Sequence, residues 1–183
     1  RGRARRSVCA RVSVAAGPLG HFPRGDLARR QGTFGLVPQG AGAVSIPVMA
    51  AGGIASPAGV RSAMALGATA VQVGTAYLLC PEATTKPVHR EWLNSDRAQH
   101  TALTTAFSGR PARGMVNRLI HELGCFPDTA PAFPLAGNAI GPLRAAAEAQ
   151  GSGDCSPLWA GQNAGGCRED SAALVTAWLA EGF

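Results

Sequence analysis

The chain has 183 residues, of which 46% are apolar and 15% charged, and its 17 basic and 11 acidic residues give a formal net charge of +6. No apolar run is long enough for a membrane-spanning helix, so the composition predicts a cytoplasmic protein with no membrane partner. Aromatic residues make up only 5% of the chain. Because aromatic side chains form the platforms on which bases stack, the composition predicts no nucleic-acid partner.

The first part of the chain is rich in arginine. Five arginines lie between Arg1 and Arg11, among glycine, alanine and serine. This composition predicts an irregular segment over residues 1–20, which differs from the apolar sequence that follows. A nucleic-acid arm or a targeting segment is the alternative interpretation.

Two apolar segments further along the chain predict consecutive β-α units. The first is Ile46–Ile54 (IPVMAAGGI), and the second is Ala68–Val73, which Gly74 and Thr75 follow before a short helical start at 76–79. Near-continuous apolar strands are typical of a parallel sheet that is covered on both faces. The order of elements therefore predicts an α/β fold.

The residues between these strands predict a helix with defined ends. Ser56 is a good N-cap, Pro57 suits the first helical turn, and Gly67 is a C-terminal stop after Leu66. A strand, a Gly-Gly loop and a helix thus follow in order.

The two strand endings together predict a phosphate site. Backbone N–H groups at a helix start bind phosphate, and glycine lets the main chain approach without a Cβ. A (β/α)8 barrel commonly binds phosphate at the loops after its seventh and eighth strands. The alternative is that Gly52, Gly53 and Gly74 only form tight turns.

Residues 46–79 resemble the FMN-binding end of class I nitronate monooxygenases, formerly called 2-nitropropane dioxygenases. Other segments that are similar to this family follow in its order, namely 26–38 (DLARRQGTFGLVP), 107–118 (FSGRPARGMVNR), 131–135 (PAFPL) and 156–162 (SPLWAGQ). The resemblance covers residues 20–180. Flavin-type enoyl-ACP reductases and IMP dehydrogenases share the phosphate segment, whereas the later segments favour the nitronate monooxygenases.

The resemblance implies a cofactor, a reaction and a set of binding residues. The cofactor is FMN, and the reaction is the oxidation of a nitronate with O2 to a carbonyl compound and nitrite. The cofactor-binding positions carried over from the family are Ala51, Gly52, Gly53, Gln72, Gly74 and Thr75. Strand alternation does not decide whether Gln72 points to a barrel interior or to the helices. The resemblance also implies that the segment 156–162 returns towards the flavin.

The catalytic histidine of the family has no clear counterpart here. An alignment without gaps places Pro18 at the histidine position and Leu19 at the arginine that follows it. His21 comes three residues later in this sequence. It becomes the candidate only if the alignment contains an insertion.

The resemblance implies a partial (β/α)8 barrel with its last two or three β-α units. A whole barrel takes roughly 200 to 250 residues, so the chain is expected to be the C-terminal half of an enzyme. The expected organisation is the irregular segment 1–20, the FMN-binding barrel part 21–85 and a helical, loop-rich region 86–183. A disrupted reading frame or a misplaced start would explain the arginine-rich beginning.

The C-terminal region is predicted to be helical. A helix pair is expected over 88–107, which includes His89 and His100, and further helices over 141–150 and 171–180. In the last helix, Leu174, Ala177 and Trp178 are expected to face the core. Arg110 and Arg113 are placed in a loop, where they either reach an anion or are solvated.

The cysteines predict no metal site and no disulfide framework. Their number is five and they lack a C-x-x-C pair. Two other functions stay open, namely a flavin-dependent enoyl-ACP reductase that uses NAD(P)H and an inactive remnant that binds no FMN. The sequence predicts neither the actual substrate nor the oligomeric state.

Overall fold

The computed structural model describes residues 31–183 and, before them, the backbone of two strands. The strands are β1 (Val8–Arg11), β2 (Gly17–Pro18), β3 (Val48–Ala51), β4 (Ala70–Gln72), β5 (Thr101–Thr104) and β6 (Ala112–Met115). The α-helices are α1 (Thr33–Ala43), α2 (Pro57–Ala65), α3 (Pro87–Leu93), α4 (Arg118–Leu123), α5 (Ala136–Ala149) and α6 (Ala172–Ala180). Three short 3-10 helices cover Thr75–Tyr77, Asp96–Gln99 and Ala164–Gly166.

A parallel sheet with strand order β1-β3-β4 confirms the predicted α/β class. Val8 pairs with Val48 and Met49 pairs with Ala70, so β3 lies between two parallel neighbours. Strand β1 lies inside the segment 1–20, for which the sequence predicts irregular structure. Pairing with the buried strand β3 supplies the ladder that local composition does not reveal.

Helix α2 begins and ends as its capping residues predict. The amide N–H of Gly59 donates to Ser56 Oγ over 3.2 Å, Pro57 occupies the first turn, and Gly67 follows the helix with φ +94°. Val60 and Ala63 of α2 are buried in one core with residues of β3 and α6. The predicted helical start after β4 is the 3-10 helix Thr75–Tyr77.

A second sheet is antiparallel, with strand order β2-β6-β5. Its strand β5 corrects the predicted helix pair over 88–107, because only α3 and a 3-10 turn precede it. Thr101 pairs with Met115 and Thr104 with Ala112. The β-branched threonines fit a pleated surface, and pairing with β6 outweighs the local helix propensity. His100 is extended and not helical, with φ −107° and ψ 97°.

The two last helices agree with the sequence in position but not in every detail. Helix α5 begins at Ala136, earlier than predicted, and contains Pro142 near its middle. In α6 the Ser171 cap is confirmed, but Leu174 is 61% exposed while Val175 and Leu179 are buried. The expected core positions were wrong at Leu174 and Ala177, because α6 packs against α2 through Val175 and Leu179, whereas Trp178 packs against the same core as expected.

None of the described helices is both long and apolar enough to cross a membrane.

Candidate functional site

The glycine loops that follow β3 and β4 leave the parallel sheet at the same edge. Ala51 pairs with Gln72 in the last register position of these strands. The Gly52-Gly53 loop and the Gly74 segment therefore begin at neighbouring strand ends. We call Gly52-Gly53 and Gly74-Thr75 the two halves of the phosphate cradle. Since parallel strands present their carboxyl ends at one edge, these two predicted halves are neighbours.

The first half of the cradle is a loop that only glycine adopts easily. Gly52 and Gly53 have φ values of +112° and +75°. Thr33 Oγ1 donates to the carbonyl of Gly52 over 2.9 Å, and Asn163 Nδ2 donates to the carbonyl of Gly53 over 3.3 Å. Side chains from distant segments thus engage both carbonyls of the loop.

The second half of the cradle is Gly74 and Thr75. A Cβ built on Gly74 would meet no heavy atom within 4 Å, so open space adjoins this residue. The amide N–H of Gly161 donates to Thr75 Oγ1 over 3.0 Å, and Cys167 Sγ donates to the Thr75 carbonyl over 3.0 Å. Among the residues the structure describes, no backbone carbonyl accepts a hydrogen bond from the amide N–H of Gly53 or Gly74.

A cavity of about 320 Å³ adjoins the first glycine loop. Residues at the start of α1, the loop and helix α2 line it, namely Gly32, Thr33, Phe34, Gly52, Gly53, Ile54, Gly59, Ser62, Ala63 and Leu66. No lysine or arginine stands among these described lining residues. An anion at this edge would therefore be bound by main-chain N–H groups and the positive end of the α2 dipole.

Gln72 lies on the last position of β4, opposite Ala51, and its side chain is exposed. Gly74 is exposed as well, whereas Ala51 is buried and Gly52 and Thr75 are partly buried. The six positions named from the sequence thus lie on two adjacent strand ends. Their role in binding stays a prediction.

The structure also brings residues to the cradle that sequence patterns did not single out. Thr33 lies within the family-like segment 26–38 and Gly161 within 156–162, so the resemblance contained a signal for both. Asn163 and Cys167 follow the last of these segments. No local pattern pointed to them, because their partners lie 110 and 92 residues away in sequence.

The predicted arginine loop is not a loop at Arg113, which lies in β6 and is 8% exposed. Its guanidinium donates to the carbonyl and Oγ1 of Thr101 over 3.1 Å, and burial lowers its pKa. Arg110 lies over the ring of Phe133, with 4.1 Å to the ring centre. Both arginines therefore have partners inside the fold.

The candidate catalytic positions lie at the beginning of the chain. Pro18 is in β2, where its backbone pairs with Ala112 of β6. Leu19 and His21 lie outside the described residues. The part of the chain that the structure describes holds no group of three or more His, Cys, Asp or Glu residues placed to bind a metal.

A second cavity, of about 140 Å³, lies between α3, α5 and the segment before Trp159. Lys86 Nζ and Ser156 Oγ donate to the two carboxylate oxygens of Glu148, over 2.6 and 2.8 Å, and the hydrogen bond from Lys86 lowers the pKa of Glu148. His89 also lines this cavity, and its buried Nε2 has no hydrogen-bond partner among the described residues. Burial lowers the pKa of His89.

A parallel sheet with glycine loops at its carboxyl edge and a helix between its strands defines an α/β protein. Residues 6–176 match the family model described as nitronate monooxygenase. The chain belongs to the nitronate monooxygenase family.

Curated relatives agree with this assignment. A nitronate monooxygenase from Pseudomonas aeruginosa is 43% identical over 96% of this chain and 50% of the relative. A probable nitronate monooxygenase from Bacillus subtilis is 39% identical over 82% of this chain and 43% of the relative. The chain thus spans about half the length of the curated relatives it matches.

Solved structures show the same relationship. A nitroalkane oxidase from Streptomyces ansochromogenes superposes with a TM-score of 0.86 at 36% identity, over 95% of this chain and 50% of that one. FabK from Thermotoga maritima superposes with a TM-score of 0.72 at 28% identity, over 97% of this chain and 54% of that one. The arrangement of strands and helices described above is therefore shared with known enzymes.

Proposed function

We propose that this chain is the FMN-phosphate-binding part of a flavin oxidoreductase that oxidises alkyl nitronates with O2. The observation that carries the proposal is the parallel pairing of Ala51 with Gln72, which brings the strand ends leading into Gly52 and Gly74 side by side at one sheet edge. Open space beside Gly74 and the capped start of α2 complete an edge that suits a phosphate.

The three parallel strands are proposed to be consecutive strands of a (β/α)8 barrel. Strand β1 precedes β3 in the sheet and β4 follows it, each parallel to the next. The barrel part would then begin at β1, before the residue 21 expected from the sequence, and run to residue 85, and residues 86–183 would form a region that packs over its carboxyl edge. The hydrogen bonds from Gly161 and Asn163 to the two glycine loops support this arrangement.

The residues at the edge fit the phosphate of FMN. Ala51, Gly52 and Gly53 would offer amide N–H groups from the first loop, and Gly74 and Thr75 would offer an amide and a hydroxyl from the second. Gln72, exposed at the end of β4, would lie next to the bound cofactor. Bound FMN supplies the electron-transfer chemistry, while the chain holds and orients it.

The substrate would be a small nitronate, with O2 as second substrate, and His21 is the candidate for the histidine of the family. A His21→Asn variant tests this role. Nitronate turnover should fall while FMN affinity stays unchanged, and equal turnover in the variant would remove His21 from the mechanism.

The absorbance spectrum of the purified chain tests the proposed cofactor. A yellow protein with stoichiometric FMN is expected, and nitrite release from an alkyl nitronate under air then tests the reaction. A colourless chain that takes up no added FMN would contradict the proposal and favour an inactive remnant.

A second candidate function is reduction of an enoyl thioester with NAD(P)H, because the phosphate segment is shared with flavin-type enoyl-ACP reductases. The two functions separate in one assay. NAD(P)H oxidation that an enoyl thioester stimulates, without nitronate turnover, would select the second function.

A further inference from the structure

The segment that begins at the end of the last family-like motif touches both halves of the cradle. We call residues 161–167 the C-terminal turn. Asn163 Nδ2 donates to the carbonyl of Gly53 over 3.3 Å, and Cys167 Sγ donates to the carbonyl of Thr75 over 3.0 Å. The amide N–H of Gly161 donates to Thr75 Oγ1 over 3.0 Å. One short segment thus bridges two loops that belong to different strands.

The C-terminal turn is itself well fixed. Its centre is the 3-10 helix Ala164–Gly166, and Ala164 is fully buried in the core beneath it. A Cβ on Gly166 would come within 2.7 Å of the Cβ of Ala55, so this glycine packs directly on a residue two positions after the first glycine loop. An anchored turn can hold its hydrogen-bond partners in place, because its own backbone has little freedom.

The direction of these hydrogen bonds matters for an anion. Thr75 Oγ1 accepts the hydrogen of Gly161, so the hydroxyl proton of Thr75 is left to donate elsewhere. Because Asn163 donates to the carbonyl of Gly53, this acceptor of the loop is paired within the protein and is not left to face a ligand. Both hydrogen bonds occupy acceptors of the cradle and leave its donors available to an anion.

Cys167 can donate only as a thiol. Burial raises its pKa to about 11, so the thiol form persists at neutral pH. The cysteine is therefore a hydrogen-bond donor under ordinary conditions.

We propose that the C-terminal turn positions the phosphate cradle, with Asn163 and Cys167 as its positioning residues. The inference rests on the proposed function, because it names what sets the geometry of the same FMN site. It adds that selectivity for the phosphorylated flavin depends on residues far from either glycine loop in sequence.

The test compares binding of FMN with binding of riboflavin, which lacks the phosphate. Fluorescence titrations of the full chain give both dissociation constants, and their ratio isolates the contribution of the phosphate group to binding. Asn163→Ala should lower the preference for FMN about fivefold, as expected for the loss of one hydrogen bond. Cys167→Ala should lower it less, because a thiol is a weak donor, and Cys167→Ser should restore it.

Matched controls remove the same side-chain types elsewhere. Asn94 Nδ2 donates to Glu169 at an exposed position, and Cys155 lies outside the turn. Asn94→Ala and Cys155→Ala should keep the wild-type preference. An equal loss of affinity for both flavins in Asn163→Ala and Cys167→Ala would overturn the proposal, since it would indicate general loosening.

Amide hydrogen exchange separates failure of this inference from failure of the proposed function. In the chain without added flavin, Asn163→Ala should speed exchange in a peptide covering 48–56, and Cys167→Ala in a peptide covering 73–80. The controls should not. If wild type binds no FMN, the proposed function fails while this comparison still decides whether the turn holds the loops. Unchanged exchange in both variants would overturn the inference.

Discussion

The two sheets of this protein differ in the groups on which they depend. At the carboxyl edge of the parallel sheet, the positions are main-chain groups in glycine loops, which local sequence makes recognisable. Around the antiparallel sheet, buried polar side chains join distant segments. Asn117 Nδ2 donates to the carbonyls of Gly153 and Ser156, and the buried Arg113 donates to the carbonyl and Oγ1 of Thr101.

This difference separates binding from stability. A glycine loop that faces open space can be changed without disturbing packing, whereas a buried polar side chain leaves unpaired partners when it is removed. Substitutions around the antiparallel sheet should therefore lower the stability of the fold, and substitutions in the cradle should lower ligand affinity.

The largest expected effect is the substitution Gly109→Ala, near the antiparallel sheet. Gly109 has φ +74°, and a Cβ there would collide with the backbone of Pro131 and Phe133. Because backbone cannot yield as a side chain does, we expect a loss of more than about 3 kcal/mol in the free energy of unfolding. Chemical denaturation measures it.

Gly151→Ala is the matched control for that substitution. Gly151 has nearly the same φ, +73°, but a Cβ there would meet nothing within 4 Å. Only the left-handed backbone cost of about 1–2 kcal/mol should remain. Equal losses in the two variants would show that the collision at Gly109 does not matter.

Asn117→Ala is expected to cost about 3 kcal/mol, because it removes two donated hydrogen bonds and leaves buried carbonyls without them. Its side chain also caps α4 by accepting from the amide of Ile120 over 3.3 Å. Asn138 is exposed on α5, and Asn138→Ala should stay within about 0.5 kcal/mol of wild type. A loss in Asn117→Ala no larger than in this control would contradict the assigned role.

His89 gives a smaller, pH-dependent effect. Burial lowers its pKa in the folded state below the usual value of 6.5, so the unfolded chain binds the proton more tightly. Stability should therefore be full above pH 6.5 and fall as the pH drops below it. Thermal unfolding between pH 7.5 and 5.5 measures the effect.

His89→Gln should reduce this loss of stability at low pH. His121→Gln, which replaces an exposed histidine, should show the same loss as wild type. The acid loss from Glu148 comes at lower pH, since its pKa lies below the usual 4.5. A wild-type melting temperature that does not change from pH 7.5 to 5.5 would contradict the role of His89.

The sequence predicted the features of the fold that depend on local chemistry. Ser56, Pro57 and Gly67 set the ends of α2, and Ser171 sets the start of α6. The adjacent ends of β3 and β4 followed from their parallel order. These features depend on neighbours within one or two helical turns or on adjacent strands.

The features that sequence could not predict depend on distant partners. Strand β5 forms because Thr101 pairs with Met115, against a helical local pattern. Leu174 is exposed because α6 packs on α2 through Val175 and Leu179. Asn163 contacts Gly53 across 110 residues of sequence. Periodicity and spacing hold no information on such contacts.

The smallest expected effect on stability belongs to the cradle, and it gives the most direct test of its role. Gly74 has a negative φ of −118°, and a Cβ there would meet no heavy atom within 4 Å. The free energy of unfolding of Gly74→Val should therefore lie within about 0.5 kcal/mol of the wild-type value. The added side chain would occupy the space proposed for the phosphate.

The decisive measurement is the dissociation constant for FMN of wild type and of Gly74→Val, taken beside their unfolding midpoints. We expect FMN affinity to fall more than about tenfold, or ~1.4 kcal/mol, at nearly unchanged stability. Equal FMN affinity in a folded Gly74→Val variant would contradict the claim that these two strand ends form a phosphate site.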